Sequence, residues 1–281
     1  MNPKLYRPSE SLKKLWRVEL DLLKKFIQVC DKYQLNYFVD GGTLLGAARH
    51  GGFIPWDNDI DVIMPRKDYD QLWQIASKEF VYPYFFQTSI SEKKERFFRS
   101  HAQLRNSRTI GYARCDENKN INKGVFIDIF PLDRIPNNPQ ELQAWCNDIN
   151  RKMKLMDRYC AKREKIRQAF RLSSIIPNLF FSIFSFDRFF TNFNLNVLGK
   201  YKHTQTQRVG NISLGWMPNS VYPEYYFSDF CYLKFEDILV RAPCEYEKVL
   251  EIHYGDWKKY PEEVSEGCGT LHGEIIFYDD I

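Results

Sequence analysis

Between residues 40 and 64 the chain reads DGGTLLGAARHGGFIPWDNDIDVIM, with three aspartates at alternate positions, Asp57, Asp59 and Asp61. Like charges at that spacing repel unless a proton or a cation compensates them. In extended backbone, alternate side chains share one face. Asp59 and Asp61 therefore form a carboxylate pair, with Ile60 and Val62 turned into the core. Asp57 joins that face if the strand begins early enough; otherwise it belongs to the turn after Pro55 and Trp56. Such a row suits Mg²⁺ or Mn²⁺, hard cations that take oxygen ligands. The plain alternative is a solvated strand edge, against which the closely flanking apolar residues weigh.

Gly41, Gly42 and Thr43 precede the aspartates and form a turn between a strand and a helix. Glycines let backbone N–H groups approach an anion without Cβ obstruction, and a helix N-terminus favours negative charge. Alone, such a turn more often just reverses the chain. Followed by Asp-x-Asp, it sets an anion cradle before a metal seat, the layout of metal-assisted phosphoryl chemistry. A third carboxylate, Asp128, lies inside the apolar run GVFIDIFPLD. A buried lone carboxylate is costly unless a metal, a backbone donor or an arginine compensates it. Asp133, past Pro131, reads as a turn or capping residue. Arg49 and Arg105 are candidate phosphate contacts, since a guanidinium engages phosphate bidentately. For Arg49 a helix-surface charge is an equal alternative, and His50 is either a phosphate donor or a turn residue.

These groups need elements to hold them. Apolar spacing predicts a helix over 9–33 with Ser9 or Ser11 as cap. Short strands follow at 36–40 and 58–64, the second ended by Pro65, with a short helix between them. A helix over 66–78 precedes strand-like segments at 84–88, 98–106 and 109–114, and a strong strand at 124–133. From Asn138 a long helical pattern runs to Phe170, and beyond about residue 205 the chain is mixed and rich in Tyr, Gly and Pro. No repeat or separating linker is evident.

Composition bounds the function. The 281 residues suffice for a sizeable core, and 27% charged with 22 Phe and 17 Tyr is a globular mixture. A net charge of +4 gives no reason to expect a nucleic-acid partner. Seven cysteines without C-x-x-C pairs read as reduced thiols of a cytoplasmic protein. Cys268 and His272 lack a partner pair and read as structural. No signal peptide is expected at the N-terminus, and no apolar run reaches the ~20 residues needed to span a bilayer. Between Arg151 and Arg171 nine Lys or Arg face two acidic residues, and a Phe-rich segment follows at 175–190. The span 151–190 thus suggests peripheral contact with an anionic membrane at its inner face, against the alternative of a solvated helix beside a core hairpin.

VDGGTLLGAARHGGFIPWDNDIDVIMP followed by FIDIFPLD resembles the LicD family of phosphotransferases, which also includes the fukutin-related proteins. The likeness is strongest over 36–135 and extends more loosely to YGDWKKYPEE at 254–263. It implies an α+β fold: a nucleotidyltransferase-like small mixed sheet flanked by helices. The expected organisation is a single domain over 1–281, with a catalytic core at 1–136, a mainly helical insertion at 137–205 and a C-terminal part at 206–281. It further implies transfer of a phospho-alcohol, commonly phosphocholine from CDP-choline, to a sugar of a surface glycan precursor such as teichoic acid, lipopolysaccharide or capsule. The expected partners are a CDP-alcohol donor and a glycan or lipid-linked glycan acceptor. Asp59 and Asp61 match the family's metal pair, Asp57 the preceding acid, Asp128 the third carboxylate, and Gly41, Gly42 and Thr43 the phosphate loop. A choline headgroup would need aromatic walls, for which Trp56, Tyr112, Trp216 and Trp257 are candidates. Ribitol- or glycerol-phosphate transfer, a nucleotidyltransferase proper and a non-catalytic scaffold are the alternatives; the scaffold would lack a carboxylate, and none is missing.

Overall fold

The structure, a computed structural model, describes residues 6–92, 95–165, 179–180, 184–215, 220–265 and 271–277. Helix α1 (Glu10–Tyr33) starts where the Ser9 hydroxyl accepts from the Leu12 N–H at 3.1 Å, and ends at Gln34 in the left-handed region. Its buried stripe of Leu12, Leu15, Leu22, Leu23 and Phe26 packs on the sheet that carries the site.

That sheet has seven strands. Strands β1 (Phe38–Val39), β2 (Asp61–Pro65), β3 (Tyr84–Gln87), β4 (Ala102–Asn106) and β6 (Val125–Ile135) run in the order β1-β2-β6-β4-β3. Strands β7 (Arg208–Gly210) and β8 (Val221–Pro223) continue it from the far end of β6. Only β2 and β6 pair in parallel; the other neighbours are antiparallel. This is the expected mixed sheet flanked by helices. The central strand β6 is buried along almost its whole length, as a continuous apolar run should be when both faces are covered. Pro131 lies inside it, yet β4 pairs only as far as Ile129 and β7 starts at Asp133, so its missing N–H falls between those two ladders.

Helix α2 (Gly41–His50) joins β1 to β2, and α3 (Arg66–Glu79) leaves β2 directly. The long α4 (Pro139–Lys165) and short α5 (Phe186–Asn192) pack their own cluster, including Trp145, Ile149, Met156, Phe186 and Phe190, against Ile135 at the end of β6. Hairpin β9 (Phe230–Phe235) and β10 (Ile238–Pro243), then α6 (Tyr246–Tyr254), close the far side of α2 and β1, while β5 (Thr109–Ala113) pairs with β11 (Leu271–Phe277). Among the described residues no helix is long and apolar enough to cross a membrane.

Several sequence boundaries shift. The strand expected over 58–64 begins at Asp61, and that expected over 98–106 begins at Ala102. The Gly41–Gly42 pair is the first turn of α2 itself. Beyond Lys165 the long helix, most of the 175–186 segment, Trp216 and Cys268 lie outside the described residues. Asp133 is neither turn nor cap. It is buried in β6 and takes a bidentate pair from Arg66, Nε to Oδ1 at 2.6 Å and Nη2 to Oδ2 at 2.7 Å. Arg66 also donates to Asn194 Oδ1 at 2.9 Å, so one guanidinium joins the β2–α3 corner, β6 and the helical part.

Removing one partner of a buried ion pair leaves the other charge uncompensated, which costs about 3–5 kcal/mol. Asp133→Asn is therefore expected to lower unfolding stability by about 3 kcal/mol or more, read from urea denaturation. A change below about 1 kcal/mol would mean Arg66 finds another partner.

Candidate active site

The site forms where β2 and β6 run side by side. Their register sets Asp61 against Asp128, and β4 sets Gln103 against Asp128 from the other flank. The three polar residues thus make one row across the sheet. Although β2 begins only at Asp61, burial alternates from residue 56 onward: Trp56, Asn58, Ile60 and Val62 are buried while Asp57, Asp59 and Asp61 are half-buried. The preceding segment is extended enough for all three aspartates to share a face. Trp16 of α1 fixes it from behind, its indole N–H donating to the Asp57 carbonyl at 2.8 Å.

The glycines of α2 face these carboxylates. Gly41 opens the helix with φ +52°, and a Cβ there would lie 3.2 Å from Asp61 Oδ2. A Cβ on Gly42 would lie 2.5 Å from Asp57 Oδ2, inside contact distance. Only glycine admits the carboxylates this close to the first turn, where unpaired N–H groups and the helix dipole favour negative charge. Thr43 is buried and its hydroxyl accepts from the Asp61 N–H at 2.8 Å, so it ties α2 to the start of β2.

Crowding shows in the acidities. Burial first, then repulsion from Asp59 and a hydrogen bond shared with it, push the Asp57 carboxyl up to about 8. Burial and the charges of Asp59, Asp128 and Asp40 hold Asp61 well above the usual carboxylate range. Asp128 goes the other way: burial would raise it, but His101 and Gln103 outweigh that and hold it low. Gln103 Nε2 donates to Asp128 Oδ1 at 2.7 Å, and His101 Nε2 lies 3.0 Å from the same oxygen.

Behind Gln103 stands Arg105. The structure does not bring Arg105 to an open phosphate site. It is fully buried in β4, its Nε donating to Gln87 at 2.6 Å, Nη1 to the Gly124 carbonyl at 2.8 Å and Nη2 to Gln103 Oε1 at 2.5 Å. By engaging the Gln103 oxygen it turns the amide N–H₂ towards Asp128. Asp116 compensates its charge and also takes Arg99. Arg49 does reach the site, but its Nη1 donates to the carbonyls of Trp257 at 2.9 Å and Lys259 at 3.3 Å, and its guanidinium lies 4.7 Å from the Tyr260 ring. Burial, then Arg49, lower His50 to about 4, so it is a neutral ring packed edge-on to Trp56 and Tyr260.

A cleft of about 710 Å³ opens on the carboxylates. One side carries Asp57, Asp59, Asp61 and Gly42; the other carries Tyr254, Asp256, Trp257, Lys259, Tyr260 and Glu262. Trp56 and Trp257 thus line it. Tyr112 does not: it sits on β5 beneath Lys123, 5.1 Å from its ammonium. Sequence reading missed Asp40, His101, Gln103, Tyr254 and Tyr260. Nothing in YGDWKKYPEE itself signals that its aromatic rings line the same cleft as the aspartates.

The donor set suits a hard divalent cation. Carboxyls kept neutral by burial and mutual repulsion are those whose protons a cation would displace. Among the described residues no three His, Cys, Asp or Glu are already gathered as a metal site.

The family model described as LicD/FKTN/FKRP, nucleotidyltransferase domain, matches residues 34–169. The lipopolysaccharide cholinephosphotransferase LicD of Haemophilus influenzae is 30% identical over 246 residues, covering 87% of this chain and 90% of that protein. The human ribitol 5-phosphate transferase FKRP is 40% identical over 53 residues, 19% of this chain and 11% of its own. An uncharacterized protein of Rickettsia prowazekii is 35% identical over 77 residues, 27% of each chain.

Carboxyls protonated in the folded state but ionised when unfolded make stability fall as pH rises. For Asp57 this loss runs from about 4, the unfolded value, to about 8. In EDTA, unfolding free energy should therefore decline across that window, and Asp57→Asn should flatten the decline. Urea titrations from pH 4 to 9 read the slope; a wild type whose stability rises to pH 8 would contradict this acidity.

Proposed function

The chain belongs to the LicD family and is a phosphotransferase, and from that premise we propose that it transfers phosphocholine from CDP-choline to a sugar hydroxyl of a cell-surface glycan precursor. The observation that carries this reading is the cleft itself, which joins a carboxylate floor to aromatic rings. A quaternary ammonium is attracted to aromatic faces and to acidic neighbours. Tyr254, Trp257, Tyr260, Asp256 and Glu262 supply both on the wall opposite the aspartates. The long likeness to a lipopolysaccharide cholinephosphotransferase supports the same donor, and lipopolysaccharide as the acceptor class.

The residues divide the chemistry. Asp57, Asp59, Asp61 and Asp128 would hold Mg²⁺ or Mn²⁺. When bound, such a cation neutralises the donor's pyrophosphate and the charge that grows on departing CMP. The first turn of α2, with Gly41 and Gly42, offers backbone N–H groups to phosphate oxygens. The acceptor oxygen forms its bond to the choline-bearing phosphorus as the bond from that phosphorus to the CMP phosphate oxygen breaks. Asp128, held ionised by His101 and Gln103, takes the hydroxyl proton. Arg105 acts through Gln103 to position Asp128.

Purified protein with Mg²⁺ and either CDP-choline, CDP-ribitol or CDP-glycerol distinguishes the donors. CDP-choline alone should raise the melting temperature and yield CMP with a lipopolysaccharide acceptor; Asp59→Asn should fold normally and lose transfer. Protection by CDP-ribitol alone would move the reading towards the ribitol transferases, and protection by UTP or ATP alone towards nucleotidyl transfer. Near-normal turnover by Asp59→Asn would sink the carboxylate assignment.

We infer a cytoplasmic enzyme that works at the inner membrane face. A second cleft of about 760 Å³ is lined by Arg151, Lys152, Lys154, Arg158, Phe180 and Phe189. Beside it Leu179 and Phe184 are 62% and 54% exposed. Basic charge beside exposed apolar side chains suits an anionic bilayer. Co-sedimentation with phosphatidylglycerol vesicles, lost in high salt and absent with phosphatidylcholine, is the expected result. Equal binding to both vesicles, or to neither, would remove this surface from the account.

A further inference from the structure

Glu19 stands where a core residue belongs. On α1 it continues the stripe of Leu12 and Leu15 into Leu22, Leu23 and Phe26, and it is completely buried. Among the described residues neither carboxyl oxygen has a hydrogen-bond partner. By contrast, the buried acids Asp116, Asp128 and Asp133 are each paired with cationic or amide side chains. An apolar side chain would serve packing at this position, so an unpartnered carboxyl there calls for something the protein alone does not supply.

The direction of the side chain follows from its neighbours. Trp16, three residues earlier and on the same side of α1, donates to the carbonyl of Asp57 at 2.8 Å. Helix α1 also packs on β6 and β4, the strands that carry Asp128 and Gln103. Glu19 therefore lies on the buried flank of the carboxylate row, and the cleft lining does not include it. Burial, then the charges of Asp59, Asp57 and Asp128, hold its acidity well above the usual range, which marks those three as its close electrostatic neighbours. A neutral carboxyl keeps one O–H donor and one carbonyl acceptor.

We propose that Glu19 is an outer-sphere residue of the catalytic centre, whose carboxyl hydrogen-bonds water carried by the divalent cation held by the aspartates. The proposal rests on the cation reading above and deepens it. Glu19 touches no substrate and acts through the hydration shell and the aspartates beside it. Such partners orient first-shell ligands, and their loss typically weakens metal affinity about 10–100-fold.

Isothermal titration with Mn²⁺, on the full chain stripped with EDTA, tests it without reference to turnover. Glu19→Leu suits the surrounding core and should melt no lower than the wild type in EDTA, yet bind Mn²⁺ at least about tenfold more weakly. Glu19→Gln keeps a carbonyl acceptor and should bind within about threefold of the wild type, the rescue that a purely structural role would not produce. If Glu19→Leu melts lower, Glu19→Met, with nearly the same side-chain length, takes its place. Unchanged Mn²⁺ affinity in the apolar variant would overturn the role of Glu19 and leave the cation reading standing. A wild type that takes up no Mn²⁺ would overturn both.

Discussion

Everything in this fold answers to the repulsion among carboxylates packed between α2 and the β2–β6 pair. Asp57, Asp59, Asp61 and Asp128 are brought together by a parallel register and an extended approach, with Asp40 at the head of α2 and Glu19 on the buried flank. Such a cluster can exist in a folded chain only because its charge is removed in several ways at once. Asp57 and Asp61 are pushed towards their neutral forms. The open first turn of α2 contributes a positive dipole end. The acidity of Asp128 is instead held low by His101 and Gln103. Unequal environments around similar groups push their acidities apart, and here they separate Asp128 from Asp57 and Asp61.

Four arginines around the site are engaged with other groups. Arg66 is committed to Asp133, and Arg105 and Arg99 to Asp116. Arg49 is bound to main-chain carbonyls of the segment that closes the cleft. These four guanidinium groups are therefore held by partners outside the row of Asp57, Asp59 and Asp61.

How much of this was legible in the sequence depends on range. Period two in Asp57, Asp59 and Asp61 holds in the burial pattern even where no strand is formed, because local backbone extension sets it. Asp128 was legible because a charged residue in an apolar run is conspicuous by itself. Arg105 was misread for the opposite reason: nothing local says that Gln87, Gln103 and the Gly124 carbonyl will enclose a guanidinium. Glu19 was hidden in the same way, since a glutamate in an amphipathic helix reads as surface until tertiary contacts assign its face. Asp133 looked like a turn residue beside Pro131, and only the gap between the β4 and β7 ladders reveals why proline is tolerated inside the strand.

The cleft is built from two parts of the chain with different obligations. Its floor comes from residues 42–61, where the start of α2 and the pairing of β2 with β6 allow little freedom. Its opposite wall comes from the end of α6 and the irregular segment after it, Tyr254 to Glu262, attached to α2 through Arg49 and to the floor through the contact of Trp56 with Tyr260. Loop segments tolerate substitution where strands do not. Phosphoryl chemistry can therefore stay fixed on the sheet while the wall changes to suit another alcohol. By that division substitution among Tyr254, Trp257 and Tyr260 could reshape the cleft without disturbing the strand register that sets the aspartates.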